Sequence, residues 1–249
     1  MEKNQSNFAP AFDLLPPDKA RALNAVYTFS RIIDDCVDSN VSTEAKQNAL
    51  DFWKTQLTKT ARDEIPNPIM QELNDVMVRY NIPADLFLGL IKGCEMDIHT
   101  TRYETFEELS NYCYHVAGLV GLACMKIFGH ESPTADQTAI NLGIAFQLTN
   151  IIRDIKADLN LGRIYLAQED LRHYGYSDDD FKNHVVNDSF FKLMHFYASR
   201  AESFYQVATQ EFEKDKEGKL VAAKAMTQIY HALLKKIGRK NFPVFKRRV

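Results

Sequence analysis

The sequence predicts an all-α, single-domain helical bundle, and three observations carry that prediction. Glycine occurs only 10 times and proline only 8 times in 249 residues, so few turns interrupt the chain. The prolines gather where helical patterns begin or separate, at Pro16 and Pro17, Pro66 and Pro68, Pro83 and Pro133. Apolar residues recur at steps of three and four, and no stretch shows the two-residue alternation of a strand.

The elements follow in order. Pro17 and Asp18 open a segment in which Ala22, Val26, Phe29 and Ile33 share one face, which predicts a helix over 17–38. Further helices are predicted near 43–60, 66–80, 84–98, 105–129, 134–157, 188–214 and 219–240. KDKEGK at 214–219 reads as an exposed turn, and the acidic run at Asp178, Asp179 and Asp180 as a solvated loop or helix start, where carboxylates favour the dipole. No repeat, low-complexity tract or linker divides the chain, so residues 1–249 read as one domain.

Composition narrows the function classes. With 30 basic and 33 acidic residues the net charge is −3, which removes any whole-chain argument for nucleic-acid binding. The stretch MEKNQSNFAPAF lacks an apolar signal region and no later segment approaches 18 uninterrupted apolar residues, so a cytoplasmic chain is expected. Cys36, Cys94, Cys113 and Cys124 show no short paired spacing, which argues against a zinc site or disulfide framework.

Against this background RIIDDCVD at 31–38 stands out. Like charges at helical spacing repel, so the cluster of Asp34, Asp35 and Asp38 brings the fold nothing unless a cation binds it. Asp34 and Asp38 lie about 40° apart on the helix surface. A second cluster follows in NIIRDIKADLNLGRIYL, where Asn150, Asp154 and Asp158 stand at i, i+4 and i+8, with Gln147 just before them. On the same face Ala139, Leu142, Gly143 and Phe146 precede the acids, so this helix turns from apolar to acidic toward its C-terminal end, as the first does. Two such helices can enclose a dry, central apolar cavity with a carboxylate mouth. Hard oxygen ligands suit Mg²⁺, which keeps several waters and is commonly shared with substrate phosphates. Arg31, Arg153 and Arg163 adjoin the clusters and offer the forked donors that match phosphate oxygens. The expected ligand is a diphosphate with an apolar tail.

The strings FDLLPPDKARALNAVYTFSRIIDDCVD, RYETFEELSNYCYHVAGLVG and QLTNIIRDIKADLNLGRIYLAQEDL resemble, in family order, the hallmark segments of the squalene and phytoene synthases. The resemblance runs from about Phe8 to Arg247 and is nearest to bacterial dehydrosqualene synthases. It implies the isoprenoid synthase fold, three Mg²⁺ held by the two aspartate motifs, and head-to-head joining of two allylic diphosphates. By motif position it carries over Asp34, Asp35, Asp38, Asn150, Asp154 and Asp158 as metal ligands, and Gln147, Arg153, Arg31 and Tyr112 as active-site groups. It also assigns Tyr27, Tyr230 and Arg247 to substrate contacts, and Phe8, Phe12, Val116, Ala117, Val120, Gly121, Leu142 and Phe146 to the tunnel lining.

The resemblance further implies a cyclopropylcarbinyl (presqualene) diphosphate intermediate. The absence of GxGxxG after a strand favours an ending by proton loss, so no NADPH is expected. Farnesyl diphosphate is the expected substrate. The alternatives are a phytoene synthase using geranylgeranyl diphosphate, a presqualene diphosphate synthase, a head-to-tail prenyl elongating enzyme or terpene cyclase, and a non-catalytic member serving as a binding or assembly protein.

Three departures stand out. Lys156 and Ala157 precede Asp158 where members often carry another acid; NQSNF lacks the His, Ser and Lys often found before the first helix; and the chain ends soon after Arg247, where many members continue into another helix. The run Lys235, Lys236, Arg239, Lys240, Lys246, Arg247 and Arg248 is expected either to be solvated or to touch anionic membrane.

Overall fold

In the computed structural model of the chain, residues 8–58 and 67–246 are described. They form helices α1 (Ala9–Phe12), α2 (Pro17–Asp38), α3 (Thr43–Leu57), α4 (Pro68–Tyr80), α5 (Ala84–His99), α6 (Phe106–Cys113), α7 (Leu119–Phe128), α8 (Ala135–Asn160), α9 (Gln168–Tyr174), α10 (Asp178–Lys182), α11 (Asp188–Phe212) and α12 (Val221–Arg239). Among the described residues there is no strand, and a lone parallel bridge pairs Arg102 with Ile164. The all-helical expectation holds, and the long predicted helices recur within a few residues of their expected bounds.

One local difference stands out. The single helix expected over 105–129 is broken by a π-helical turn at Tyr114–Gly118. The wider turn rearranges the backbone pairing, and the His115 ring nitrogen Nδ1 lies 2.8 Å from the Asn111 carbonyl oxygen. This turn packs directly on α8: a Cβ on Gly143 would stand 2.5 Å from the Ala117 oxygen, and one on Gly121 2.5 Å from the Ala139 oxygen. Glycine at both positions is what allows the backbones so close. The acidic run, expected as a solvated loop or helix start, opens α10 through a capping box between Ser177 and Asp180.

Buried side chains fall into two clusters. One is centred on α2, α4, α5 and α7, the other on α8, α11 and the end of α12. Phe8, Val116, Phe146 and Phe212 are partly buried and touch both, so they mark the seam between the clusters. Within it the Phe8 ring centroid lies 4.7 Å from that of Tyr230 and 5.5 Å from that of Phe146.

One further contact positions the site. The backbone after α8 is pinned to the backbone after α5, where Ile164 N donates to Thr101 O at 3.1 Å. Arg163 is thereby held beside the C-terminal turn of α5 and the end of α2.

Candidate active site

The acidic end of α2 carries Asp34, Asp35 and Asp38, each half-buried or exposed rather than sealed in the core. Arg31 donates Nη1 to Asp34 at 2.7 Å and Nη2 to Asp35 at 2.7 Å, so one guanidinium spans two motif carboxylates one turn ahead of it. Tyr27 lies one further turn back on the same helix.

The α8 stripe is as the spacing predicts. Arg153 is buried and bidentate on its neighbour Asp154, with Nε to Oδ1 at 2.9 Å. Asn150 donates Nδ2 to Gln147 Oε1 at 3.3 Å. Its other amide atom, Oδ1, is buried with no hydrogen-bond partner. A buried acceptor left in this way carries a desolvation cost that a donor or cation would relieve.

The loop after α8 joins the two stripes. Arg163, 5% exposed, donates Nη1 to Asp38 Oδ1 at 2.5 Å and Nη2 to the Val37 oxygen at 3.3 Å. Its Nε lies 3.9 Å from Asp97 Oδ1. Asp97, on α5, is a buried carboxylate that accepts from Tyr112 OH at 2.8 Å on one oxygen and from Tyr165 OH at 2.8 Å on the other. The two phenol rings stack, with centroids 5.1 Å apart.

The electrostatics agree with this crowding. Burial first, then the charges of Asp154 and Asp97, pushes the Asp158 carboxyl up to about 8. Burial and Asp38 likewise raise Asp34 to about 7, with Arg31 opposing them. Asp97 rises to about 6 through burial, against the pull of Arg163 and the two tyrosine bonds. Asp38 contributes to the rise at Asp158, which places the α2 and α8 stripes within electrostatic reach of one another. Arg31, Arg153 and Arg163 are outnumbered, among the described residues, by the acids Asp34, Asp35, Asp38, Asp97, Asp154 and Asp158 around them. Among the described residues, no three His, Cys, Asp or Glu side chains converge closely enough to hold an ion by protein atoms alone.

The remaining sequence-derived residues divide by location. Phe8, Val116 and Phe146 lie in the seam, and the Tyr230 ring stacks on Phe8 and lies tilted against Phe146. Phe12 and Leu142 are buried core residues, and Val120 packs against the first cluster. Ala117 and Gly121 form the close contact with α8. Arg247 falls outside the described residues. The sequence reading missed Asp97, Tyr165 and Phe212. A signal for Asp97 was present: it continues the step of Leu90 and Cys94, placing a charge on an otherwise apolar stripe. A recess of about 350 Å³ beside α9 and α10 lies apart from this mouth, and its one carboxylate, Asp178, is already paired with Arg102.

Comparison with known proteins bears on this geometry. The profile of the family described as Squalene/phytoene synthase matches residues 1–249. The chain belongs to the squalene/phytoene synthase family. A 15-cis-phytoene synthase of Synechococcus elongatus is 34% identical over 94% of this chain and 80% of its own length. A phytoene synthase of Mycobacterium bovis is 34% identical over 98% of the chain and 81% of its own. Among solved structures, a dehydrosqualene synthase bound to a ligand superposes with a TM-score of 0.88 at 29% identity, covering 98% of this chain and 86% of that one. The squalene synthase HpnC of Alicyclobacillus acidocaldarius gives 0.85 at 26% identity, covering 96% and 89%. Members of this squalene/phytoene synthase family are prenyltransferase-type enzymes that take isoprenoid diphosphates, and their helical isoprenoid synthase fold is the fold seen here.

Proposed function

We propose that this chain condenses two farnesyl diphosphates head to head, through a cyclopropylcarbinyl diphosphate, to the C30 polyene dehydrosqualene. The observation that carries the reading is the meeting of two arginine-flanked carboxylate stripes, on α2 and α8, at the mouth of an apolar seam. The donor set fits a hard divalent cation: half-buried carboxylates whose proton affinity is raised, and an orphaned buried amide oxygen at Asn150. With no three acids converging among the described residues, each ion would take one or two protein oxygens and complete its shell with water and diphosphate, which is the habit of Mg²⁺. Asp34, Asp35 and Asp38 would hold it from α2, and Asn150, Asp154 and Asp158 from α8. When bound, Mg²⁺ supplies positive charge to the departing diphosphate.

The protein's own groups do the rest. Arg31 and Arg153 present forked donors at the mouth, where negative charge develops as the C–O bond breaks. The electron pair leaves with diphosphate, and the allylic cation is captured by the double bond of the second substrate with loss of one proton. A second ionisation, rearrangement and proton loss complete the polyene. Phe8, Phe146 and Tyr230 keep the seam apolar, and an allylic cation survives only where water is kept away.

A second reading has support of equal weight. Relatives at 34% identity are named phytoene synthases, which favours geranylgeranyl diphosphate and a C40 product. Incubation with each diphosphate separately, with Mg²⁺ and without NADPH, then extraction and mass analysis, decides between them. A C30 polyene lost in Asp34→Ala or Asp154→Ala establishes the first reading, a C40 product alone the second, and no turnover of either substrate sinks both. Lys235, Lys236, Arg239, Lys240 and Lys246 support release of this hydrocarbon at an anionic bilayer. Failure to co-sediment with anionic vesicles at low salt refutes that release site.

A further inference from the structure

The Arg163 guanidinium is shared by two carboxylates of unequal standing. Asp38 sits at the mouth, its side chain 38% exposed, and takes the close bond at 2.5 Å. Asp97 is sealed, its side chain 3% exposed, and stands 3.9 Å from Nε. Asp97 cannot move away from this place, because Tyr112 and Tyr165 each donate a hydroxyl to one of its oxygens at 2.8 Å. Arg163 is equally fixed, through the Val37 and Asp97 backbone oxygens at 3.3 and 3.5 Å. Of the three charges, only Asp38 is free to turn toward the mouth. A buried cation that loses its sole counter-charge is strongly disfavoured, whereas one that retains a second carboxylate is not.

We propose that Asp97 is a positioning residue that keeps Arg163 neutralised when Asp38 leaves it, so that Asp38 can pass from Arg163 to an incoming divalent cation. Arg163 is then a competitor for Asp38 rather than part of the cation site, and Asp97 lowers the cost of the exchange. The inference rests on the reading of α2 and α8 as a cation-binding mouth. Tyr112 and Tyr165 act one step further out, by holding Asp97 in register.

The test is Mn²⁺ titration of the full chain, followed by the electron paramagnetic resonance of the free ion, on the wild type, Asp97→Asn, Arg163→Gln and the double variant. Asp97→Asn is expected to weaken Mn²⁺ binding about 10-fold, the scale on which supporting groups around a metal act. Arg163→Gln, which removes the competitor, is expected to bind Mn²⁺ at least as tightly as the wild type. The double variant returns to within about 2-fold of Arg163→Gln, because Asp97 has no cation left to neutralise. A merely structural role predicts the reverse, with both single variants weakened and the double weaker still. Weakened binding in Arg163→Gln overturns the proposal even if Asp97→Asn fails to fold. If the wild type binds Mn²⁺ only with inorganic diphosphate present, the same order of affinities is expected with diphosphate at a fixed excess, and any other order overturns the proposal. Absence of wild-type binding with or without diphosphate overturns the cation mouth itself.

Discussion

Replacing Asp158 by Asn separates what serves folding from what serves chemistry. In the folded chain burial, together with Asp154 and Asp97, raises the Asp158 carboxyl from its ordinary 3.8 to about 8. Between those two values the folded state keeps a proton that the unfolded state has released. Stability contributed by this residue therefore falls as pH rises from about 4 to about 8 and is level above that. At pH 7 the cost is about 4 kcal/mol if the site were dry. The side chain is half-buried at a wet mouth, where an effective dielectric nearer that of a protein surface reduces the cost to about 1–2 kcal/mol. Asn keeps the shape and removes the charge, so Asp158→Asn is expected to raise the unfolding temperature at pH 7 by about 2–6 °C in a chain of this size. The gain should shrink at pH 5, vanish near pH 4 and grow toward pH 8. Thermal unfolding followed by circular dichroism in the presence of a chelator measures it. An unfolding temperature that falls, or a gain independent of pH, refutes the picture of an acidic mouth held against its own repulsion. The same variant should lose condensation activity, which makes Asp158 a residue kept at the expense of stability.

Three further outcomes follow from the packing. Gly143→Ala places a methyl 2.5 Å from the Ala117 oxygen and 2.7 Å from the Gly118 nitrogen, so α8 and the π-helical turn must part; a loss of about 3 kcal/mol in urea unfolding is expected, and a neutral result would mean that this contact is loose. Glu211 is 1% exposed; burial alone would raise its carboxyl, but donors from Ser132, Thr134, His130 and Lys214 outweigh that and hold it near 2. Its contribution is complete above about pH 5 and lost only as pH falls toward 2, and Glu211→Gln should cost about 2 kcal/mol at pH 7 with no change in product. Phe8→Ala removes a ring lying 4.7 Å from Tyr230 and 5.5 Å from Phe146; KM for the allylic diphosphate should rise several-fold with little change in unfolding temperature, and an unchanged KM would place the substrate tail elsewhere.

Much of this protein is legible without its fold. Helix periodicity depends only on which residues are three and four apart, so α2, α3, α4, α5, α8, α11 and α12 can be read from the order of apolar residues. The same local geometry puts Arg31 against Asp34 and Asp35, and Arg153 against Asp154, because those pairs are near neighbours on one helix. The break at Tyr114–Gly118 was hidden for the opposite reason. Residues 105–129 are apolar enough to run as one helix, and the widened turn lies where the chain packs closely against Gly143 on α8, a contact that local periodicity does not reveal.

Asp97 marks the same boundary more sharply. By itself it is one acid near the end of an apolar helix. Its meaning comes from Tyr112, 15 residues on, from Arg163 and Tyr165 across the loop after α8, and from Asp38 on α2, none of which sequence distance brings together. The order of residues determined the helices and loaded two of them with acids and arginines, since both are matters of spacing along one axis. Only tertiary packing decided that the two stripes share a mouth and that one buried arginine is divided between Asp38 and Asp97, because charge interaction depends on separation through space and on the solvent excluded between the groups.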